Sequence, residues 1–287
     1  MKIKYLILLF TLFSLQVDAQ EIQTTGPENG HLIVAGGGKL SDEVLGKFVE
    51  LAGGEKAKIV VIPTAGGRNE YAADHGRSKN FRALGAESVK VLHTTEPKIA
   101  DTEDFTAPLR EATGVWFSGG RQWRLVDAYG GTKTEVMIQE VLNRGGVVGG
   151  TSAGASIQGS FLVRGDTKNN QIMAGDHLEG FSYIKNIAID QHVLARNRQF
   201  DMFTILKERP HLLGVSVDEG TAMWVTGNQF QVIGDRYVII YDGTFYSSEG
   251  FGMKELPPPS NLFYFLKPGD KYDLKARKVI RNLPSRN

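Results

Sequence analysis

Short apolar runs closed by glycine, proline or an acid alternate with stretches of helical spacing along the first half of the chain. His31-Leu32-Ile33-Val34-Ala35 is such a run and ends in Gly36-Gly37-Gly38. Glycine-bounded runs of this kind predict a buried strand. Residues 40–51 carry apolar positions at helical spacing, with Ser41 placed to cap the helix N-terminus. Residues 58–63 predict the next buried strand and residues 70–84 the next helix. Three more strands follow at residues 88–92, 114–117 and 146–149, with helices between. Strands alternating with helices predict a parallel sheet covered on both faces. After residue 160 short strands dominate, at residues 187–190, 213–218, 222–226 and 237–241. Gly227-Asn228 and Gly234-Asp235 read as turns between antiparallel strands. Pro257-Pro258-Pro259 is a rigid spacer before a final strand-like segment. The expected architecture is a single α/β domain over residues 31–287. Its sheet is mainly parallel, with antiparallel strands toward the C-terminus.

The first thirty residues stand apart from this pattern. Met1-Lys2-Ile3-Lys4 is basic, and residues 5–15 form an apolar stretch too short to span a bilayer comfortably. Val17 and Ala19 place small residues where a signal peptidase reads, which predicts a signal peptide over 1–19 and cleavage before Gln20. The expected location is therefore exported, periplasmic or secreted, with no membrane anchor after cleavage. Residues 20–30 are polar and contain Pro27 and two glycines, as a flexible leader would.

Losing residues 1–19 removes Lys2, Lys4 and Asp18 and leaves 31 basic against 31 acidic side chains. A nucleic-acid binder would carry a basic excess, so no nucleic-acid partner is expected. The 287 residues include no cysteine. Disulfides and thiolate metal sites are thereby excluded, and an apolar core must supply the stability.

Gly150-Thr151-Ser152-Ala153-Gly154 follows one of the buried runs and precedes a helix start at Ala155-Ser156-Ile157. A G-x-S-x-G sequence at a strand-to-helix turn pushes the serine hydroxyl out at the carboxyl end of a strand, where it can act as a nucleophile. The N–H groups that open the following helix suit a developing oxyanion. Such a serine needs a base. Of the six histidines, His31, His75 and His93 lie in the N-terminal half, and His177 and His211 in loop sequence. His192 stands at the exit of a predicted strand beside polar residues, where ligands bind in parallel sheets. Asp190, Asp218 and Glu219 are candidates for the carboxylate that orients the imidazole. The pair 218–219 could equally bind a metal or cap the strand, and spacing does not choose among the three. Phe117-Ser118-Gly119-Gly120 is a second glycine-rich strand exit whose N–H groups could join that of Ala153 in an oxyanion site. Gly36-Gly37-Gly38 lacks the G-x-G-x-x-G spacing, and Ile62-Pro63-Thr64 stands where a dinucleotide site needs an acid, so no such cofactor is expected.

Taken together the motifs resemble the cyanophycinases, within the serine peptidase family that also includes the α-aspartyl dipeptidases. The resemblance runs from about residue 31 to residue 280. It rests on Gly119-Gly120-Arg121-Gln122, Gly150-Thr151-Ser152-Ala153-Gly154-Ala155, Asp190-Gln191-His192, Arg196-x-Arg198, Asp218-Glu219-Gly220-Thr221-Ala222 and Gly269-Asp270-Lys271-Tyr272-Asp273-Leu274. It implies a three-layer sandwich like that of the class I glutamine amidotransferases. It implies Ser152 as nucleophile, His192 as base and Glu219 as orienting acid, with no metal or cofactor. Ala153, Gly119 and Gly120 would hold the oxyanion, and Gln122, Asp190, Gln191, Arg196 and Arg198 would line the substrate pocket. The implied substrate is an aspartyl peptide or a cyanophycin-like polymer, with β-aspartyl links of the β-Asp-Arg type. The implied assembly is a homodimer. At two positions the chain departs from the family pattern: Arg121 stands where an aspartate is usual, and Asp201 where a third arginine is usual. Two alternatives have the same fold. One is a dipeptidase for short α-linked aspartyl peptides, the other an exported binding protein without turnover.

Overall fold

Strand β1 (His31–Ala35), whose last four residues are apolar and buried, takes the middle of a nine-stranded sheet. The computed structural model describes residues 23–247 and 255–281. The expected signal peptide and cleavage point lie outside the described residues. On one side of β1 run four parallel strands, β2 (Lys58–Ile62), β3 (Ser88–Val91), β4 (Gly114–Phe117) and β5 (Val147–Thr151), in the order β1-β5-β4-β2-β3.

The chain then leaves this sheet. It builds a second, five-stranded one from β6 (Gly159–Phe161), β7 (Ile184–Gln191), β8 (Leu213–Val217), β11 (Val238–Tyr241) and β12 (Tyr264–Leu266). It also returns to the first sheet. Strand β9 (Thr221–Thr226) pairs antiparallel with β1, and β10 (Gln229–Gly234), β13 (Lys271–Asp273) and β14 (Lys278–Ile280) extend that edge. The expected α/β class holds, with a largely parallel half and antiparallel strands toward the C-terminus.

Alternation along the strands divides the core into layers, since successive side chains leave opposite faces. Ile33, Val61 and Trp116 point to one face. They meet Phe48 of α1 (Asp42–Leu51) and Phe81 of α2 (Arg77–Ala83). The rings of Phe48, Phe81 and Trp116 lie 5.0–5.4 Å apart, centroid to centroid. Ser41 caps α1 as expected, accepting from the Val44 N–H at 3.5 Å. Leu32, Val34, Ile62 and Phe117 point to the other face. They share one core with Ile138 and Val141 of a helix spanning Lys133–Asn143 and with Ile187, Ile189, Val215 and Val217 of the second sheet.

Three local expectations need correction. The helix expected over 70–84 begins only at Arg77, because Gly76 in front of it has φ +53° and cannot sit in a right-handed helix. The Gly234-Asp235 turn does not join paired strands, for β10 lies in one sheet and β11 in the other. The described part of the expected leader is docked. Thr24 is buried and donates to the Asn186 carbonyl at 3.1 Å, and Thr25 bridges Lys185.

The aromatic triplet beneath the parallel strands supplies a test of this packing. Phe48→Ala should lower unfolding free energy by about 3–5 kcal/mol through lost transfer energy and a residual cavity. The expected reading is a fall in the urea midpoint at unchanged slope.

Candidate active site

Three strand exits, drawn from both sheets, meet around one glycine-rich segment. Ser152 follows β5, His192 follows β7 and Glu219 stands two residues after β8. The carbonyls of Ala35, Gly36 and Gly37, at the exit of β1, accept in turn from the N–H groups of Ser152, His192 and Gly220, each at 3.0 Å. Three successive acceptors thus fix the nucleophile candidate, the imidazole and the residue beside the carboxylate. The segment must also come close. A Cβ on Gly37, whose φ is +121°, would lie 2.2 Å from His192 Cε1, inside any allowed contact. A Cβ on Gly38 would meet the Glu219 carboxylate at 2.7 Å.

The turn at Ser152 is held in a conformation that few residues adopt, with φ +57° and ψ −114°. Its glycines are needed for contact: a Cβ on Gly150 would sit 2.2 Å from the Gly154 carbonyl oxygen. His192 also has a positive φ, +56°. Between them the side chains form a hydrogen-bonded chain. His192 Nδ1 lies 2.5 Å from Glu219 Oε1, and His192 Nε2 lies 2.9 Å from Ser152 Oγ. A carboxylate can only accept, so Nδ1 donates to it and Nε2 is left to accept from the serine hydroxyl. An imidazole so placed can take the proton as Oγ attacks a carbonyl.

The candidate acids separate by what they touch. Asp218 is fully buried. Its Oδ1 accepts from the N–H groups of Leu194 and Ala195, and its Oδ2 pairs with Arg236 at 3.3 Å. Asp190 is fully buried and takes Arg164 in a two-pronged pair, both contacts at 2.9 Å. Only Glu219 reaches the imidazole. Burial holds the His192 pKa below its ordinary value. Its hydrogen bond to Glu219 opposes that shift, and the positive charge of Arg196 adds to it.

The remaining expected positions divide. Gly119 lies against the nucleophile candidate: a Cβ there would be 3.3 Å from Ser152 Cβ. The N–H groups of Gly119, Gly120 and Ala153 have no acceptor among the described residues. Gln191, Arg196 and Arg198 lie beside His192, with Arg198 reaching the carbonyl and Oε1 of Gln191 at 3.3 and 3.5 Å.

Two of the residues expected to line the pocket have their side chains engaged within the protein. The Asp190 carboxylate is sealed by Arg164, and buried Gln122 donates to the Val163 carbonyl at 2.5 Å. The departures Arg121 and Asp201 serve the same segment as Gln122. Arg121 donates to the Asp166 carbonyl, and Asp201 pairs with Arg164 at 2.6 Å.

Arg164 itself has no sequence signal, being an isolated arginine with φ +58° at a turn. Of the other histidines, three have side-chain partners elsewhere, His31 with Thr226, His93 with Thr64, and His177 with Asp127 and Asp176. Among the described residues no group of three histidines or acids is placed to hold a metal ion.

The chain matches the model of peptidase family S51 over residues 32–233. It is similar to the cyanophycinase of Trichormus variabilis, 30% identical over 285 residues, with 94% of each chain covered. It is also similar to the cyanophycinase of Geminocystis herdmanii, 29% identical over 84% of this chain and 91% of the other. Among solved structures it resembles a peptidase from an acI-B1 actinobacterium, with a TM-score of 0.60, 24% identity and coverage of 85% and 97%. A putative peptidase E protein from Listeria monocytogenes aligns with a TM-score of 0.50 and 20% identity, over 71% of this chain and 98% of the other. These two likenesses are of fold.

The electrostatics give a pH signature. With imidazolium disfavoured by burial, His192 stays a free base below its ordinary value near 6.5. The rate of Ser152 labelling by a fluorophosphonate should therefore hold down to pH values below that point and fall as His192 is protonated. Arg196→Gln removes a cation that opposes protonation, so its acidic limb should lie at higher pH than that of the wild type.

Proposed function

The chain belongs to peptidase family S51 and is a serine-type peptidase, and from that premise we propose that it hydrolyses β-aspartyl peptide links through Ser152, His192 and Glu219. The observation that carries this is the unbroken chain from Glu219 Oε1 through the imidazole to Ser152 Oγ, at 2.5 and 2.9 Å. Ser152 Oγ attacks the scissile carbonyl carbon while His192 Nε2 takes its proton. Glu219 keeps the ring oriented and stabilises the imidazolium. The N–H of Ala153, with that of Gly119 or Gly120, holds the oxyanion. As the tetrahedral intermediate collapses, the proton passes from His192 to the leaving amine and an acyl-enzyme remains. Water, deprotonated by His192, attacks the ester and frees Ser152.

The names of the cyanophycinase relatives make cyanophycin and its β-Asp-Arg unit the first substrates to test, with α- and β-linked aspartyl dipeptides beside them. The expected result is hydrolysis by the wild type that falls by about 10⁴-fold or more in Ser152→Ala, as for triad members generally. Near-normal turnover by that variant would sink the scheme. Cleavage of α-linked peptides alone would make the protein an aspartyl dipeptidase. Absence of both product and fluorophosphonate labelling would leave a binding protein of the same fold.

Export belongs to the same proposal, supported by the basic, apolar and small-residue succession over residues 1–19. N-terminal sequencing of protein recovered outside the inner membrane should begin at Gln20; recovery of intact Met1 in the cytosol would contradict it.

A further inference from the structure

One buried cation ties together the two segments that flank His192. Arg164 stands three residues past the end of β6, which runs parallel to β7 with Phe161 opposite Ala188. Its side chain has no solvent exposure. Nε and one terminal nitrogen hold the two oxygens of Asp190, each at 2.9 Å. The same terminal nitrogen reaches Asp201 at 2.6 Å, and the other donates to the Asn170 carbonyl at 2.9 Å.

Each acid leads to the imidazole by its own route. Asp190 Oδ1 also accepts from the Gln191 N–H at 2.9 Å, the amide just before His192 and its positive φ of 56°. Asp201 opens the helix Met202–Glu208, yet its carboxylate makes no cap there and goes to Arg164. Between the two acids lies the turn 193–200, which carries Arg196 and Arg198. Asp218, itself paired with Arg236, holds the start of that turn through the N–H groups of Leu194 and Ala195. Asp201 carries its end across to Arg164.

The charges depend on the same placement. Asp190 and Asp201 act on Arg164 and on Arg198, two acids with two cations. At His192 burial is the first cause of the lowered pKa. Glu219 opposes it, and the charges of Arg196 and Arg198 add to it. Their effect falls with distance, so it is set by where the turn is held.

On the premise that Ser152, His192 and Glu219 are the reacting groups, we propose that Arg164 is a positioning residue for the hydrolysis. Through Asp190 it holds the exit of β7 that presents the imidazole. Through Asp201 it holds the cationic turn at a fixed distance from that ring. A guanidinium can serve both acids because its donors lie in a rigid planar fork, a geometry that the point charge of a lysine lacks.

Removing the charge outright would leave Asp190 buried without its partner, so the first variant keeps it. The test follows Ser152 labelling by a fluorophosphonate against pH in the wild type, Arg164→Lys and Asp201→Ala, with a urea midpoint for each. Arg164→Lys retains the charge and loses the fork. Its plateau labelling rate should fall about ten- to a hundredfold, the scale of a misplaced reacting group. Its acidic limb should move up by about half a pH unit, the effect of one solvent-screened charge drawn away. Asp201→Ala, at a side chain 39% exposed, frees the end of the turn and leaves Arg164 on Asp190. Here too the limb should move up, and the sign discriminates. Loss of a negative charge by itself disfavours imidazolium and would move the limb down.

A limb that stays in place in Arg164→Lys, or that stays or falls in Asp201→Ala, overturns the positioning role and leaves the peptidase reading intact. A lower urea midpoint with an unmoved limb does the same, making Arg164 a stabilising residue alone. If Arg164→Lys does not fold, the sign in Asp201→Ala decides. A wild-type Ser152 that is not labelled at any pH ends both readings.

Discussion

Three consecutive carbonyls, those of Ala35, Gly36 and Gly37, determine whether there is a site at all. Each accepts one N–H, and the three donors come from the exits of β5, β7 and β8, strands that belong to two different sheets. Side chains 27 and 40 residues apart in sequence are thereby brought within 2.5 and 2.9 Å. Each such bond contributes only about 0.5–1.5 kcal/mol in net terms. Their value lies in register, since they fix the backbone of Ser152 and of His192 and, through Gly220, the segment that carries Glu219. β1 can do this because it is doubly paired, parallel to β5 and antiparallel to β9. Its exit has no freedom to drift.

That constraint also explains why the strained residues persist. Ser152 and His192 both have positive φ, a conformation costing on the order of 1–3 kcal/mol for a residue with a side chain. Ser152 is over-determined by its own N–H bond to Ala35 and by the N–H groups of Ala155 and Ser156, which both donate to its carbonyl. His192 is held at its N–H by Gly36, and the next turn is held by Asp218 through Leu194 and Ala195. The apolar core on either side of the nine-stranded sheet supplies the stability against which this local cost is set.

Much of this was legible in the chain and some was not, for physical reasons that differ by residue. The five parallel strands were legible because buried strands flanked by glycine have a local signature. Ser152 and His192 were legible because strand exits can be read from the same runs. Partnership is not local. The apolar runs of β7, β8 and β11 look like those of β1 and β5, and nothing in them says that they close a sheet of their own. Gly36-Gly37-Gly38 lacks the spacing of a dinucleotide-binding loop. Its glycines are needed because an imidazole and a carboxylate occupy the space where side chains would stand. Arg164 lies 26 residues from Asp190, and ion pairs across such a gap leave no periodic trace.

The division among the acids follows from the same geometry. Asp218 and Glu219, both past the end of β8, reach different partners. Asp218 turns into the protein and secures the segment after His192, while Glu219 turns toward the ring. Asp190, two residues before His192, faces Arg164, with Asp201 on the same guanidinium. Arg164 thereby engages both the acid that the resemblance assigns to the pocket and the acid standing where the family has an arginine, two carboxylates on one cation. The imidazole itself holds Glu219 at Nδ1 and Ser152 at Nε2, and the charges of Arg196 and Arg198 reach it. In the proposed reaction Glu219 supports the imidazolium that forms as Ser152 attacks. Burial first, and then the charges of Arg196 and Arg198, hold the His192 pKa down and favour the free base that the proposed reaction requires.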